Sequence, residues 1–178
     1  AIFRQSSGLW AIRFLTRVYF GGSGYDPIPG DYDGDGAGEI GVQRPDFGLW
    51  AIRGLTRVYF GGASDLPVPG DYDGEAGRDI GVYQETSGRW AIRGFTRLYF
   101  GSSLDTPLPR DYDGDGADDI AVYRPDAGLW AVKGLTRFYF GSAADEPVSA
   151  GYGGRGRDEI GIYRNSSGLW AIRQTTRV

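Results

Sequence analysis

"GLWAIRGLTRVYFG" occupies residues 48–61, and nearly the same text stands at 8–21, 88–101 and 128–141, with "GLWAIRQTTRV" at 168–178. Tryptophan therefore falls at 10, 50, 90, 130 and 170, a strict 40-residue period. Self-similarity at a period of about 20–50 residues marks a solenoid, a propeller or an array. Inside the stretch, "LWAI" and "TRVY" are short runs of β-branched and aromatic residues on either side of a glycine, the pattern of a hairpin.

Extending outward from 88–101 completes one unit. "LPVPGDYD" (66–73) is an apolar strand carrying two prolines, and an acidic loop follows it. "DIGVYQ" (79–84) puts Ile80 and Val82 on one face, and "RWAIR" (89–93) does the same with Trp90 and Ile92. Gly94-Phe95 predicts a two-residue type II′ hairpin turn into "TRLYF" (96–100). No stretch carries a 3.6-residue apolar period. The expected fold is all-β: five 40-residue, four-stranded antiparallel blades in one repeat domain, with units at about 1–20, 21–60, 61–100, 101–140 and 141–178.

Sheets with apolar residues on both faces bury them by packing around an axis, which is the propeller arrangement. The alternative is an open, solenoid-like stack of the same sheets, which polar terminal caps would favour; the two end units lack such caps. Unit one begins in its second strand (1–4) and unit five stops in its fourth (176–178). The first blade is thus expected to lack its first strand. A three-stranded blade, a homo-oligomer with strand exchange, or a longer parent chain would each account for that.

Composition excludes several chemistries. The chain of 178 residues has no Cys and no His, which removes disulfides, thiolate metal sites and the usual general base. Ser6, Ser7, Ser166 and Ser167 have no evident activating base, since Lys133 is the one lysine. There is no phosphate-binding loop or dinucleotide fingerprint. The chain reads as a non-enzyme. No apolar run reaches the ~18 residues of a membrane span, so membrane insertion is not expected. The net charge of −4 conceals a division. Positions 1, 3, 5 and 9 of three acidic loops hold twelve of the 23 acidic residues, leaving eleven against 19 Lys and Arg.

Those loops are "DYDGDGAGEI" (31–40), "DYDGEAGRDI" (71–80) and "DYDGDGADDI" (111–120). Carboxylates at alternate positions of a tight turn converge, repel one another, and supply the hard oxygens that Ca²⁺ prefers. The first candidate site is Asp31, Asp33, Asp35 and Glu39, with the carbonyl of Ala37. The second is Asp71, Asp73, Glu75 and Asp79, with Gly77; the third is Asp111, Asp113, Asp115 and Asp119, with Ala117. Up to three Ca²⁺ ions are expected. The second loop should bind more weakly, because Glu75 is longer than Asp and Ala76 replaces a turn glycine. In "GYGGRGRDEI" (151–160) Gly151, Gly153 and Arg155 replace the leading acids, so no metal is expected there. An Arg155–Glu159 bridge would take the ion's place.

Tyr59-Phe60-Gly61, Pro67-Val68-Pro69-Gly70 and the acidic loop together resemble the FG-GAP repeat of integrin α-subunit propellers and of bacterial VCBS-type proteins. The resemblance recurs over essentially the whole chain. It implies a calcium-stabilised propeller, extracellular or on the cell surface, used for recognition or adhesion. The unit here is shorter than the family's, there are five of them, and the first is incomplete.

Binding is the expected activity class. Trp10, Trp50, Trp90, Trp130 and Trp170, with Arg53, Arg93, Tyr59 and Tyr99, are candidate contacts to a glycan, through ring stacking and guanidinium donors. The competing explanation for each Trp is packing between sheets. Partner classes are a glycan or a protein. Nucleic acid is not expected, because the acidic loops and even charge pattern oppose it. A purely structural repeat, natural or engineered, is the alternative to a recognition module.

Overall fold

A computed structural model describes residues 1–173 and the strand residues 176–177. Val178, the end of the expected last strand, lies outside the described residues. The chain forms five small antiparallel sheets, the blades of a propeller.

Blade one has β1 (Ile2–Arg4), β2 (Leu9–Ile12) and β3 (Thr16–Tyr19). Blade two has β4 (Asp26–Pro27), β5 (Gly41–Arg44), β6 (Leu49–Ile52) and β7 (Thr56–Tyr59). Blade three has β8 (Asp65–Pro67), β9 (Gly81–Gln84), β10 (Arg89–Ile92) and β11 (Thr96–Tyr99). Blade four has β12 (Thr106–Pro107), β13 (Ala121–Arg124), β14 (Leu129–Val132) and β15 (Thr136–Tyr139). Blade five has β16 (Glu146–Ala150), β17 (Glu159–Arg164), β18 (Leu169–Ile172) and β19 (Thr176–Arg177). Short 3₁₀ turns at Pro45–Phe47 and Pro125–Ala127 are the helical elements among the described residues.

Each sheet runs in chain order from one edge to the other. The first strands pair through a proline at a fixed register: Pro27 opposite Val42, Pro67 opposite Val82, Pro107 opposite Val122 and Pro147 opposite Ile162. Proline has no N–H to donate, which is tolerated on an edge strand. Those strands are shorter than 66–73 would make them. In blades two, three and four, pairing beyond the proline continues as isolated bridges such as Gly70–Asp79 before the acidic loop, whereas in blade five it runs on unbroken to Ala150.

The hairpin turn also differs from the expectation. Ile92 pairs with Thr96, so Arg93, Gly94 and Phe95 form a three-residue connection. The Phe95 N–H donates to the Ile92 carbonyl at 3.2 Å, and Gly94 is the residue with positive φ, at 79°. Positive φ at the third position of this turn, as in type II, favours glycine. Phe14 holds the same place in blade one with φ 63°.

The core lies between blades. Trp10 packs with Ile40 and Val42 of the next blade, and Trp50 with Ile80 and Val82. Trp90 packs with Val122, and Trp130 with Ile160 and Ile162. Each of these four indoles donates its Nε1–H to a Phe carbonyl ten residues on, at 2.9–3.1 Å. Trp170 differs: it is 42% exposed, and among the described residues no core cluster joins blade five to blade one.

Candidate functional site

The acidic loops lie between the first and second strands of blades two, three and four, and their shape is set by carboxylates bonded to loop backbone. In the first, Asp31 accepts the N–H of Gly34 on one oxygen (2.7 Å) and that of Gly36 on the other (2.8 Å). Asp33 accepts from Asp35, and Asp35 from Ala37. Glu39 reaches back across the loop to the N–H of Tyr32 at 2.8 Å. The third loop repeats every one of these bonds through Asp111, Asp113, Asp115, Ala117, Asp119 and Tyr112. The second repeats four of the five, through Asp71, Asp73 and Asp79, and lacks the one that Glu75 would accept from Gly77. There Ala76 adopts φ 68°, in the left-handed region that glycine fills in the sister loops.

These turns bring acids together. One carboxylate oxygen from each of Asp31, Asp33 and Glu39 lies within 4.8 Å of the other two. The same holds for Asp71, Asp73 and Asp79, and for Asp111, Asp113 and Asp115. Asp35, Glu75 and Asp119 stand outside their loop's trio, so each set of four expected carboxylates is gathered as three. Calcium binds oxygen at 2.3–2.6 Å, so two of its ligands sit at most about 5 Å apart. The trios meet that limit. A carboxylate oxygen that accepts one N–H keeps a lone pair for a metal. The Asp and Glu oxygens of each trio therefore fit a hard cation.

Burial pushes Asp79 and Asp119 above the usual carboxylate range. The Tyr72 and Tyr112 N–H groups pull the other way, and the remaining acids of each loop add to the rise. Burial is the larger cause, and the gathered like charges add to it.

The loops are also linked around the ring. The carbonyl of each leading Asp accepts an N–H from the loop of the next blade: Asp31 from Arg78 (2.7 Å), Asp71 from Asp118 (2.5 Å) and Asp111 from Asp158 (2.6 Å). Asp118 further accepts the N–H of Asp71 at 3.1 Å. Asp31, Asp71 and Asp111, the acids that organise their own loops, thus also hold the neighbouring blade. Periodicity alone did not point to this link.

In the fourth loop Glu159 is buried and accepts the N–H of Gly153 at 2.9 Å. Among the described residues it forms no ion pair with Arg155, contrary to the sequence expectation. With no side chain at Gly153, the glutamate folds under the backbone; a Cβ on Gly153 would lie 2.5 Å from its Oε1.

The glycan candidates do not come together as expected. Trp10, Trp50, Trp90 and Trp130 are buried between blades and present no face to a ligand. Trp170 alone is partly exposed. Tyr59 and Tyr99 are exposed, as are Arg53 and Arg93. Tyr59 pairs with Leu49 at one end of its hairpin, however, while Arg53 lies in the turn at the other. Tyr99 and Arg93 are separated in the same way.

What Tyr59 does border is a groove of about 540 Å³ between blades two and three, with Asp65, Gln84, Arg89 and Arg97. None of these four polar residues was a sequence candidate. Asp65 belongs to a repeated feature: buried Asp65, Asp105 and Asp145 stand at one repeat position near the start of the first strand. The Arg124 guanidinium donates to Asp105, and that of Arg164 to Asp145 (Nε–O 2.8 and 2.7 Å). In blade three Gln84 and Arg89 approach Asp65 instead, at 3.3 and 3.7 Å. The spacing of Ser102 to Asp105 and Ser142 to Asp145, with Arg nineteen residues on, was a legible signal for it.

Among protein-family models, curated proteins and solved structures, no match to the chain is found.

Proposed function

We propose that the chain is a non-enzymatic recognition module: a calcium-stabilised propeller of the FG-GAP kind, working outside the cell and contacting a glycan or protein. One observation carries this reading. Three separate loops each gather three carboxylates within 4.8 Å, and each loop is bonded to the next blade. Bound Ca²⁺ would supply the positive charge that lets these acids stay together. Asp31, Asp33 and Glu39, Asp71, Asp73 and Asp79, and Asp111, Asp113 and Asp115 would hold it. Extracellular calcium modules work with dissociation constants of about 10⁻⁴–10⁻³ M, which suits loops this open to solvent.

The groove beside Tyr59 is the surface proposed to meet a ligand. An exposed aromatic ring stacks on the apolar face of a sugar, Arg89 and Arg97 donate to hydroxyls, and Asp65 accepts. The burial of four Trp side chains supports the structural alternative for those residues, in which they serve packing alone. A glycan array probed with and without chelator separates the readings. Saturable, chelator-sensitive binding lost in Tyr59→Ala supports recognition; silence across the array at high protein concentration supports a purely structural repeat.

A further inference from the structure

Blade three departs from the repeat at one strand pair. Where β1, β5, β13 and β17 end in Arg4, Arg44, Arg124 and Arg164, β9 ends in Gln84. The residue opposite is Leu9, Leu49, Leu129 or Leu169 in the other blades and Arg89 here. A third exchange lies across the seam with blade two, where Gly62 stands in the place that Ser102 and Ser142 hold in the later seams.

In the two later seams these positions satisfy one another. Arg124 donates to both oxygens of Asp105 at 2.8 and 3.0 Å, and the Ser102 hydroxyl donates to the same acid at 2.9 Å. Arg164, Asp145 and Ser142 repeat the arrangement. Between blades two and three the equivalent acid, Asp65, is buried with a 3.0 Å bond from the Gly62 N–H and a 3.3 Å one from Gln84. The Arg89 Nη2 stops 3.7 Å from it, beyond hydrogen-bond reach. The Arg89 Nε is buried and has no hydrogen-bond partner among the described residues. Arg97 lies two residues before Tyr99, the residue that pairs with Arg89, so the two arginines are diagonal neighbours on one sheet face, about 7–8 Å apart. Both line the groove of about 540 Å³, together with Asp65 and the exposed Tyr59.

We infer that this groove takes a sugar bearing a negatively charged ring substituent, a carboxylate or a sulfate, with Arg89 as the seat of the charge. The inference rests on the proposed reading of the groove as a sugar site and names the class of sugar. The charged side chains lining the groove are two arginines and one aspartate, so its balance is positive and an anion complements it. A buried N–H left without a partner is costly, and a guanidinium pairs most strongly with an anionic oxygen pair. The unspent Nε–H of Arg89 is such a donor, and in the sister seams the corresponding guanidinium is already spent on its own acid. Asp65, lacking the serine and arginine bonds of its siblings, keeps acceptor capacity for a ring hydroxyl. Tyr59 offers its ring to the apolar face of the sugar.

The test is an array of oligosaccharides presented in neutral, uronate and sulfated forms of the same backbones, probed with the labelled full chain at constant Ca²⁺. Calorimetric titration then compares the best binder with its neutral form. A preference of about tenfold or more for an acidic form is expected, the worth of one hydrogen bond to a charged group. The uronate and sulfate arms show which anion the site takes. Arg89→Gln should abolish the preference. The double variant Gln84→Arg, Arg89→Leu carries the pair found in the other four blades; it should melt no lower than wild type and lose binding. Equal binding of neutral and acidic forms overturns the inference and leaves the groove a sugar site. A preference that survives Arg89→Gln also overturns it. Silence of every form overturns it together with the sugar reading on which it rests.

Discussion

Single residues report how closely each blade follows the common plan. Gly54, Gly94 and Gly134 take positive φ in the hairpin turn, and Phe14 is forced into the same conformation at 63°. For an L-residue the left-handed region costs roughly 1–2 kcal/mol. Phe14 is almost fully exposed, and what it gives back is the stacking of Arg13 over its ring at 4.5 Å, worth about 0.5 kcal/mol at such a site. Phe14→Gly should therefore raise stability by about 0.5–1 kcal/mol in chemical denaturation, and Gly94→Ala should lower it by about 1 kcal/mol. Tryptophan makes the second comparison at this scale. Trp50→Ala empties a sealed interblade seat and should cost about 3–5 kcal/mol. Trp170→Ala should cost much less, because its ring is already partly in water. Equal losses would contradict the seat-by-seat description of the core.

At the scale of elements, strands and their order were legible because alternation and the 40-residue period are properties of the sequence itself. Strand ends were not. The stretch 66–73 reads as one strand, yet pairing thins after Pro67, where Asp71 and Asp73 turn their carboxylates onto loop N–H groups. The turn at Gly94 was read with glycine in the right place and the wrong turn position, since both types need one residue with positive φ. The buried Asp145 was missed although Asp65, Asp105 and Asp145 keep the 40-residue period, because its partner Arg164 lies nineteen residues on, in the next strand. The Arg164 guanidinium hydrogen-bonded to it holds Asp145 below the usual carboxylate range, against the opposing pull of its burial. An acid with a lowered folded-state pKa contributes stability above its unfolded value, near 4, and loses it as pH falls through the folded value. Asp145→Asn should thus destabilise the chain at pH 7, and the gap to wild type should close as the pH drops below about 4. Melting curves at pH 7, 5 and 3 check this; a gap unchanged at pH 3 would rule it out.

For the whole molecule, the five-bladed arrangement could be read from the Trp period, because each unit has one apolar face too many to stand alone. The place of the Trp residues in that arrangement could not. A periodic aromatic is equally a repeated pocket and a repeated core residue, and only packing against Val42, Val82, Val122 and Ile162 decides for the core. The acidic loops were legible as clusters but not as joints between blades, since the Asp111–Asp158 link is a backbone contact that side-chain chemistry does not encode. If the loops bind calcium as proposed, this joint would give the ion a mechanical consequence. A ligand held only by the folded ring adds stability as its concentration rises past its dissociation constant, about 2.7 kcal/mol at a hundredfold excess. Ala76→Gly should relieve the strained turn of the second loop and tighten its calcium binding toward that of the other two, read as a shift in the weakest phase of a calorimetric titration.

The most direct measurement is a calorimetric titration of the chelator-stripped chain with Ca²⁺, beside Asp113→Ala. Three ions per chain are expected, one weaker than the others, falling to two in the variant, with the thermal midpoint rising as the sites fill. A chain that takes up no calcium at several millimolar, and melts identically in EDTA and in Ca²⁺, would contradict the proposal that these loops bind the cation that holds the blades together.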